Sequence, residues 1–235
     1  MPGRDRESVR RMFAAIAPRY DLLNHLLSFN RDRMWRRRAC AMLDLRGGER
    51  VLDVCSGTGD FALTLLDEAP HVRELCACDF AEPMLARARD KSDGAHPGRL
   101  WLACADALRL PWRDDAFDIV MSAFGVRNFE SLDRGLREFK RVTRPGGQLL
   151  LLEFCRPRRG WRRALADLFI NHVLPRAGAA ISCHASAYTY LPNSIADFAS
   201  KEELTALLND IGYRNVRSQD FTCGIATVFH GTKPP

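Results

Sequence analysis

At 235 residues the chain has the length of one domain, or of a domain with a small appendage, and its core needs no disulfide or metal staple. Its 46% apolar and 27% charged content is that of a globular protein, and no apolar stretch approaches the roughly 18–20 residues of a membrane-spanning helix. The net charge of +6 comes almost wholly from arginine, in clusters at Arg4–Arg11, Arg31–Arg38 and Arg156–Arg163, which could meet nucleic acid or an anionic membrane surface or simply form solvated faces. The charged start, Met1–Arg11, has no apolar signal core, so secretion is not expected. Eight scattered cysteines form no C-x-x-C pair; they read as small buried hydrophobes in a reducing, cytoplasmic setting, and no metal is expected.

Ser8–Leu45 carries helical patterns ahead of the first strand. Val51–Cys55 is a hydrophobic strand carrying Asp53; it empties into Gly57-Thr58-Gly59 and Asp60, and a helical pattern follows in Phe61, Leu63, Leu65 and Leu66. Glycines suit that turn because the chain reverses tightly and a ligand must touch bare backbone. The next strand patterns, Val72–Cys78 and Leu100–Cys104, end in Asp79 and Asp106. Phe117–Ala123 is the fourth strand. A helix on Leu132, Leu136, Phe139 and Val142 comes next, with Pro145-Gly146-Gly147 expected to end it, and Gln148–Phe154 is the fifth strand.

Arg156–Ile195 is a long insertion rich in aromatic and apolar residues. Leu204, Leu207, Leu208 and Ile211 form a last helix face, stopped at Gly212, before strand-like segments at Tyr213–Gln219 and Ile225–His230. Alternation of this kind predicts an α/β doubly wound, mostly parallel sheet. The whole reads as a single domain over 1–235, with a helical cover (8–45), a cofactor-binding core (50–154), a substrate-covering insertion (156–195) and a final helix and strands (200–231). Ligands of such sheets bind beyond the carboxyl ends of the strands, an edge that both the cover and the insertion can roof.

Asp79 lies about 20 residues beyond the glycine turn, where a ribose-binding carboxylate belongs. Gly57-Thr58-Gly59-Asp60-Phe61-Ala62 also satisfies the dinucleotide fingerprint. A pyrophosphate at that helix N-terminus would, however, meet the carboxylates of Asp53 and Asp60. A nucleoside of positive or neutral charge suits three acids at successive strand ends better, and S-adenosylmethionine, a sulfonium, is the cofactor the residues favour over NAD. Asp60 has a structural reading too, as a first-turn acid of its helix.

Blocks outside the cofactor strands carry a family resemblance. Phe13-Ala14-Ala15-Ile16-Ala17-Pro18-Arg19-Tyr20-Asp21-Leu22-Leu23-Asn24, Asp32-Arg33-Met34-Trp35-Arg36, Phe124-Gly125-Val126-Arg127-Asn128, His172-Val173-Leu174-Pro175-Arg176 and Tyr188-Thr189-Tyr190-Leu191-Pro192 occur in order. Together they resemble the ubiquinone/menaquinone biosynthesis C-methyltransferases. The resemblance implies a class I S-adenosylmethionine-dependent methyltransferase fold, Rossmann-like with a seven-stranded mostly parallel sheet, N-terminal helices and a helical insertion after the fifth strand. It implies methyl transfer to a ring carbon of a polyprenylated hydroquinone, with demethylmenaquinol favoured over the methoxy-benzoquinol precursor of ubiquinone. By motif, Asp53, Gly57, Thr58, Gly59, Asp79, Asp106 and Ala107 are the cofactor-binding set, with Asp79 at the ribose hydroxyls and Asp106-Ala107 on the adenine side. Ala123 stands where many members have a serine, Ala14 replaces a frequent aspartate and Asn30 a frequent glycine.

The reaction needs a nucleophilic carbon, so the phenolic proton must leave and the phenolate charge must be stabilised. Arg127 stays protonated and can hold a phenolate; its other reading is an anchor bonding backbone carbonyls of its own loop. Asn128 can orient a hydroxyl, and the two form the expected catalytic pair. Tyr20, Asn24, His172, Tyr188 and Tyr190 are expected to line the substrate, and His172 and His184 are candidate bases. The substrate's solubility implies peripheral contact with the inner face of the cytoplasmic membrane. A homodimer is compatible with the sequence, and nucleic acid is not an expected partner. Two other functions fit the same core. A nucleic-acid or other small-molecule methyltransferase would show a base-recognition motif beside the fourth strand, for which Gly125–Asn128 is a poor candidate. A non-catalytic assembly factor would tolerate loss of Asp53, Asp79 and Asp106, all of which are present.

Overall fold

The computed structural model describes residues 6–155, 190 and 193–235. Three helices open the chain: α1 (Arg6–Ile16), α2 (Tyr20–Leu27) and α3 (Arg31–Cys40). The central alternation follows as β1 (Arg50–Val54), α4 (Asp60–Glu68), β2 (Glu74–Asp79), α5 (Glu82–Ala95), β3 (Leu100–Cys104), β4 (Phe117–Ala123), α6 (Leu132–Val142) and β5 (Thr143–Phe154). Helix α7 (Lys201–Ile211), β6 (Arg214–Phe221) and β7 (Ala226–Thr232) close it. The strands form one seven-stranded sheet in the order β3-β2-β1-β4-β5-β7-β6. β1 to β5 pair in parallel, and β7 runs antiparallel to both β5 and β6. The order reverses between β1 and β4, the place where an open α/β sheet leaves a crevice at its carboxyl edge.

Successive side chains of a strand face opposite sides of the sheet. Leu52 and Val54 of β1 therefore join one core with Leu136 and Phe139 of α6 and Leu204 and Leu208 of α7. Val51 joins the other, with Phe61 and Leu65 of α4 and Trp35 of α3. Burying each such side chain is worth about 1.5–3 kcal/mol, so the apolar stripes hold the helices to the sheet far more than helix propensity does. Helix α7 starts on a capping box between Ser200 and Glu203 and stops at Gly212, whose φ of 97° suits glycine.

The expected strands are all present, and β3 and β4 have the expected bounds. β2 begins at Glu74 because the Val72 N–H bonds Ala69 O in a turn. The Pro145-Gly146-Gly147 expectation is corrected: α6 ends at Val142, and Thr143 is already extended and paired with Phe117. The three residues instead form an irregularity in β5, after which pairing resumes at Gln148 with Ile119. A Cβ on Gly147 would stand 2.7 Å from Asp118 O, so the close approach requires glycine there. Among the described residues no helix is long and apolar enough to cross a membrane. His172, His184, Tyr188 and most of the 156–195 insertion lie outside the described residues.

Candidate active site

The glycine turn leaves β1 through Cys55 (φ 57°), Gly57 (φ 54°) and Gly59 (φ 83°), a run of left-handed conformations that glycine adopts without strain. The Gly57 N–H donates to Asp79 Oδ2 at 2.9 Å, and the Ala81 N–H donates to Asp79 Oδ1 at 2.9 Å. One carboxylate at the end of β2 thus holds two turns and is fixed in the cleft wall. Burial pushes the Asp79 carboxyl up from the ordinary aspartate range, and those backbone donors oppose the rise. Asp53 is fully buried under α4; its Oδ2 accepts the Ala62 N–H at 3.1 Å, satisfying a first-turn donor of that helix. Its Oδ1 is buried with no hydrogen-bond partner, and burial pushes this carboxyl well above the ordinary range.

Beyond the strand ends lies a cleft of about 750 Å³, counting space open to solvent. Gly57, Asp79, Asp106 and Ala107 line it, as do Tyr20 and Asn128 from the expected substrate and catalytic sets. Phe13, Phe80, Met84, Leu108, Phe124 and Phe129 make its walls mostly apolar, and the sequence reading did not pick them out. Phe80, Leu108 and Phe124 each follow a strand end or its acid closely, which is the signal that could have found them. A Cβ added to Gly57 would face into this opening, with Tyr20 Cε1 3.7 Å away. An oriented carboxylate and apolar walls fit a nucleoside, and the unsatisfied Asp53 oxygen, in a smaller hollow alongside, fits a cationic end.

Thr58 and Gly59 do not line this cleft, though Thr58 lines a smaller hollow beside it. The Thr58 hydroxyl donates to Asp21 of α2 and receives Lys91 Nζ at 3.2 Å, so it fastens the helical cover. Gly59 lets α4 pack against α5, its missing Cβ lying 3.1 Å from Ala88 Cβ. Asp60 takes its first-turn position and pairs with Lys91 and, at 3.5 Å, with Arg36. Burial pushes its carboxyl up, but those two cations bring it below the ordinary range. Asn24 does not line the cleft.

Arg127 and Asn128 sit on a 3₁₀ turn just past β4. Asn128 reaches the cleft, and its Oδ1 accepts from the Tyr190 hydroxyl at 2.8 Å. Tyr190 packs edge-on against Phe13, 6.4 Å between ring centres, and so belongs to the same wall. Arg127 is buried beneath the turn: Nη1 donates to Glu153 Oε1 at 2.9 Å and to Phe124 O, and Nε to Ser194 Oγ at 3.3 Å. Of the two roles open to Arg127, these contacts support the loop anchor.

The sheet order, the glycine turn and the acid-fixed cleft define a nucleoside-binding enzyme of the class I methyltransferase fold. The fold is shared with solved structures described as SAM-dependent methyltransferases. One from Thermotoga maritima has TM-score 0.69 and 18% identity, covering 95% of this chain and 99% of that one. Another, from Aquifex aeolicus, has TM-score 0.65 and 19% identity over 90% and 97%. The model of the ubiE/COQ5 methyltransferase family matches residues 1–233, and the chain belongs to that family. Among its relatives are a demethylmenaquinone methyltransferase of Deinococcus radiodurans, 48% identical over 97% of this chain and 93% of that protein, and one of Thermus thermophilus, 44% identical over 95% and 100%. A ubiquinone/menaquinone biosynthesis C-methyltransferase UbiE of Geobacter sulfurreducens is 43% identical over 97% and 89%.

Asp79→Ala removes an acceptor for ligand hydroxyls together with the clamp on two turns. Hydrogen bonds to charged groups are worth about 1.5–3 kcal/mol, so affinity for S-adenosylhomocysteine should fall roughly tenfold or more by calorimetry. Unchanged affinity would remove Asp79 from the site. For Arg127→Leu, the Glu153 carboxylate is left buried without its cation, at a cost of about 3–5 kcal/mol. The melting temperature should drop along with turnover, and Arg127→Lys should restore part of both. A turnover loss at unchanged melting temperature would instead put the guanidinium on the substrate.

Proposed function

We propose that the chain methylates a ring carbon of a polyprenylated hydroquinone, with S-adenosylmethionine as methyl donor and demethylmenaquinol as the favoured acceptor. The observation that carries the reading is the cleft itself, acid-fixed on its cofactor side and aromatic on the other. Asp79 would take the ribose hydroxyls, Asp106-Ala107 the adenine side and Asp53 the ammonium group, with Phe80, Met84 and Leu108 as apolar cover. When bound, the cofactor supplies an electrophilic methyl group on a sulfonium. The names of the relatives support the acceptor class.

The remaining work falls to residues of the turn and the cover. Asn128, with Oδ1 occupied by Tyr190, keeps its amide N–H donors for a ring oxygen, where they would favour the phenolate. Burial pushes the Tyr20 phenol up, so it stays protonated and acts as a donor and not as a base. Arg127 positions Asn128 by holding the turn against Glu153. Aromatic walls at the mouth exclude water and keep the ring flat against the cleft, with the carbon to be methylated at about 3–3.5 Å from its target.

A prenyl tail partitions into lipid, so the enzyme must meet a bilayer. Leu22, Leu26 and Phe29, spaced four and three apart along and just past α2, are 55%, 47% and 71% exposed. Exposed Arg19, Arg31 and Arg33 flank them, a combination suited to shallow insertion among anionic headgroups at the inner face of the cytoplasmic membrane. The chain is then one cytoplasmic domain that docks peripherally.

Methyl transfer should require a reduced ring, because a quinone lacks the phenolic proton whose removal activates carbon. Assays with a demethylated naphthoquinone should show turnover under dithionite and almost none in air; equal rates would contradict the mechanism. Vesicles containing phosphatidylglycerol should retain the protein in flotation, and Leu22→Asp/Leu26→Asp should lose most of that retention. Equal retention by the double variant would remove α2 as the docking element.

A further inference from the structure

A second hollow, of about 330 Å³ counting space open to solvent, adjoins the main cleft behind the glycine turn, and Cys55 and Gly57 line both. Four of its lining atoms are buried with no hydrogen-bond partner among the described residues: Arg36 Nε, Ser56 Oγ, Asp53 Oδ1 and Asp60 Oδ2. Buried polar groups are nearly always hydrogen-bonded, and four unsatisfied ones around one hollow point to something that belongs between them. Two can donate and two accept, the complement of a carboxylate beside an ammonium group.

Arg36 is built for such a partner. It is 5% exposed, its Nη1 donates to Asp32 Oδ2 at 2.5 Å, and its guanidinium carbon stands 5.7 Å from the centre of the Phe124 ring. Nη2 lies 3.5 Å from Asp60 Oδ2, a charge contact outside hydrogen-bond geometry. The planar fork is held on one edge, and Nε is left for a ligand. Asp60 pairs with both Lys91 and Arg36, and Arg36 pairs with Asp32, so what Arg36 offers an anion is the unsatisfied Nε–H of its guanidinium.

On the reading above that this chain binds S-adenosylmethionine, we propose that Arg36, with Ser56, anchors the carboxylate of the cofactor's amino-acid end, while Asp53 receives its ammonium group. Arg36 belongs to the helical cover and Ser56 and Asp53 to the core, so the head group would join the two, and filling the hollow would clamp α3 onto the glycine turn.

Decarboxylated S-adenosylmethionine keeps the nucleoside, the sulfonium and the amine and lacks only the carboxylate. Calorimetry on the unaltered protein should show it binding about 10- to 100-fold more weakly than S-adenosylmethionine, the range expected for charge-assisted hydrogen bonds. In Arg36→Met that preference should shrink to within about threefold, and Arg36→Lys should be intermediate because it keeps charge but not the fork. 5′-Deoxy-5′-methylthioadenosine, which ends before the amino acid, should bind all three proteins alike and so reports that each is folded. Equal binding of the two sulfonium ligands by the unaltered protein would overturn the proposal, as would an undiminished preference in Arg36→Met; a hollow filled only by water gives the first result. If Arg36→Met does not fold, the unaltered protein and Arg36→Lys decide the matter. Failure of the unaltered protein to bind S-adenosylmethionine at all would overturn the cofactor reading itself.

Discussion

The carboxylate of Asp79 accepts one N–H from each of two turns, Gly57 in the turn after β1 and Ala81 in the turn after β2. Each turn opens a helix, and each helix carries part of the cleft or of the cover's attachment: α4 brings Asp60 and Phe61, α5 brings Met84 and Lys91. If Asp79 were an apolar residue of the same size, two buried donors would lose their acceptor and both turns would be free to open. The same two bonds also fix the direction of the carboxylate, leaving its remaining lone pairs for hydroxyl groups in the cleft. At the proposed cofactor site, fold and ligand recognition would therefore meet in one side chain.

Around this centre the helical cover is fastened by charge as well as by apolar contact. Trp35 packs against the stacked pair Phe124 and Phe154, at 6.2 and 6.1 Å, which supplies the apolar part. Asp21, Lys91, Asp60, Arg36 and Asp32 form a chain of ion pairs, with His25 hydrogen-bonded to Asp32 at its end, that links α2 and α3 to α4 and α5. Such pairs add little net stability once desolvation is counted, but breaking one leaves a charge stranded. The network accordingly holds the cover in one register over the glycine turn. A purely apolar contact would let α2 and α3 slide, and Arg36 of α3 lines the hollow behind the turn with Asp53 of β1.

What could be read from the chain alone followed the range of the interactions involved. Strand alternation, the glycine turn and Asp79 are local patterns, and they were legible. The end of α6 was not, because Pro145 and Gly147 look like helix stops; whether they make a turn or a strand irregularity depends on β4, about which the local sequence says nothing. Arg36 sat within a cluster that could meet nucleic acid or a membrane surface or form a solvated face, and most of that cluster is exposed. Its burial comes from Phe124, Asp60 and the hollow, all distant in sequence. Arg127 was visible as a motif residue, but the contact that supports its loop role comes from Glu153, 26 positions on.

Glu153 and Asp53 show how counting hydrogen bonds separates a structural acid from a binding one. Both are fully buried, and burial pushes both carboxyls up. Glu153 accepts from Arg127 Nη1 and the Phe154 N–H at 2.9 Å each, and from the Arg127 N–H at 3.3 Å, so both its oxygens are occupied. Asp53 accepts a single N–H, at 3.1 Å, and its second oxygen has no partner. A buried carboxylate left half-satisfied costs the folded state stability, a loss that a ligand's ammonium group placed beside it would recover. An anionic pyrophosphate would make the same position worse by adding charge of the same sign. The electrostatics of this one oxygen thus argue for a cationic head group at the glycine turn, independently of any likeness to other proteins.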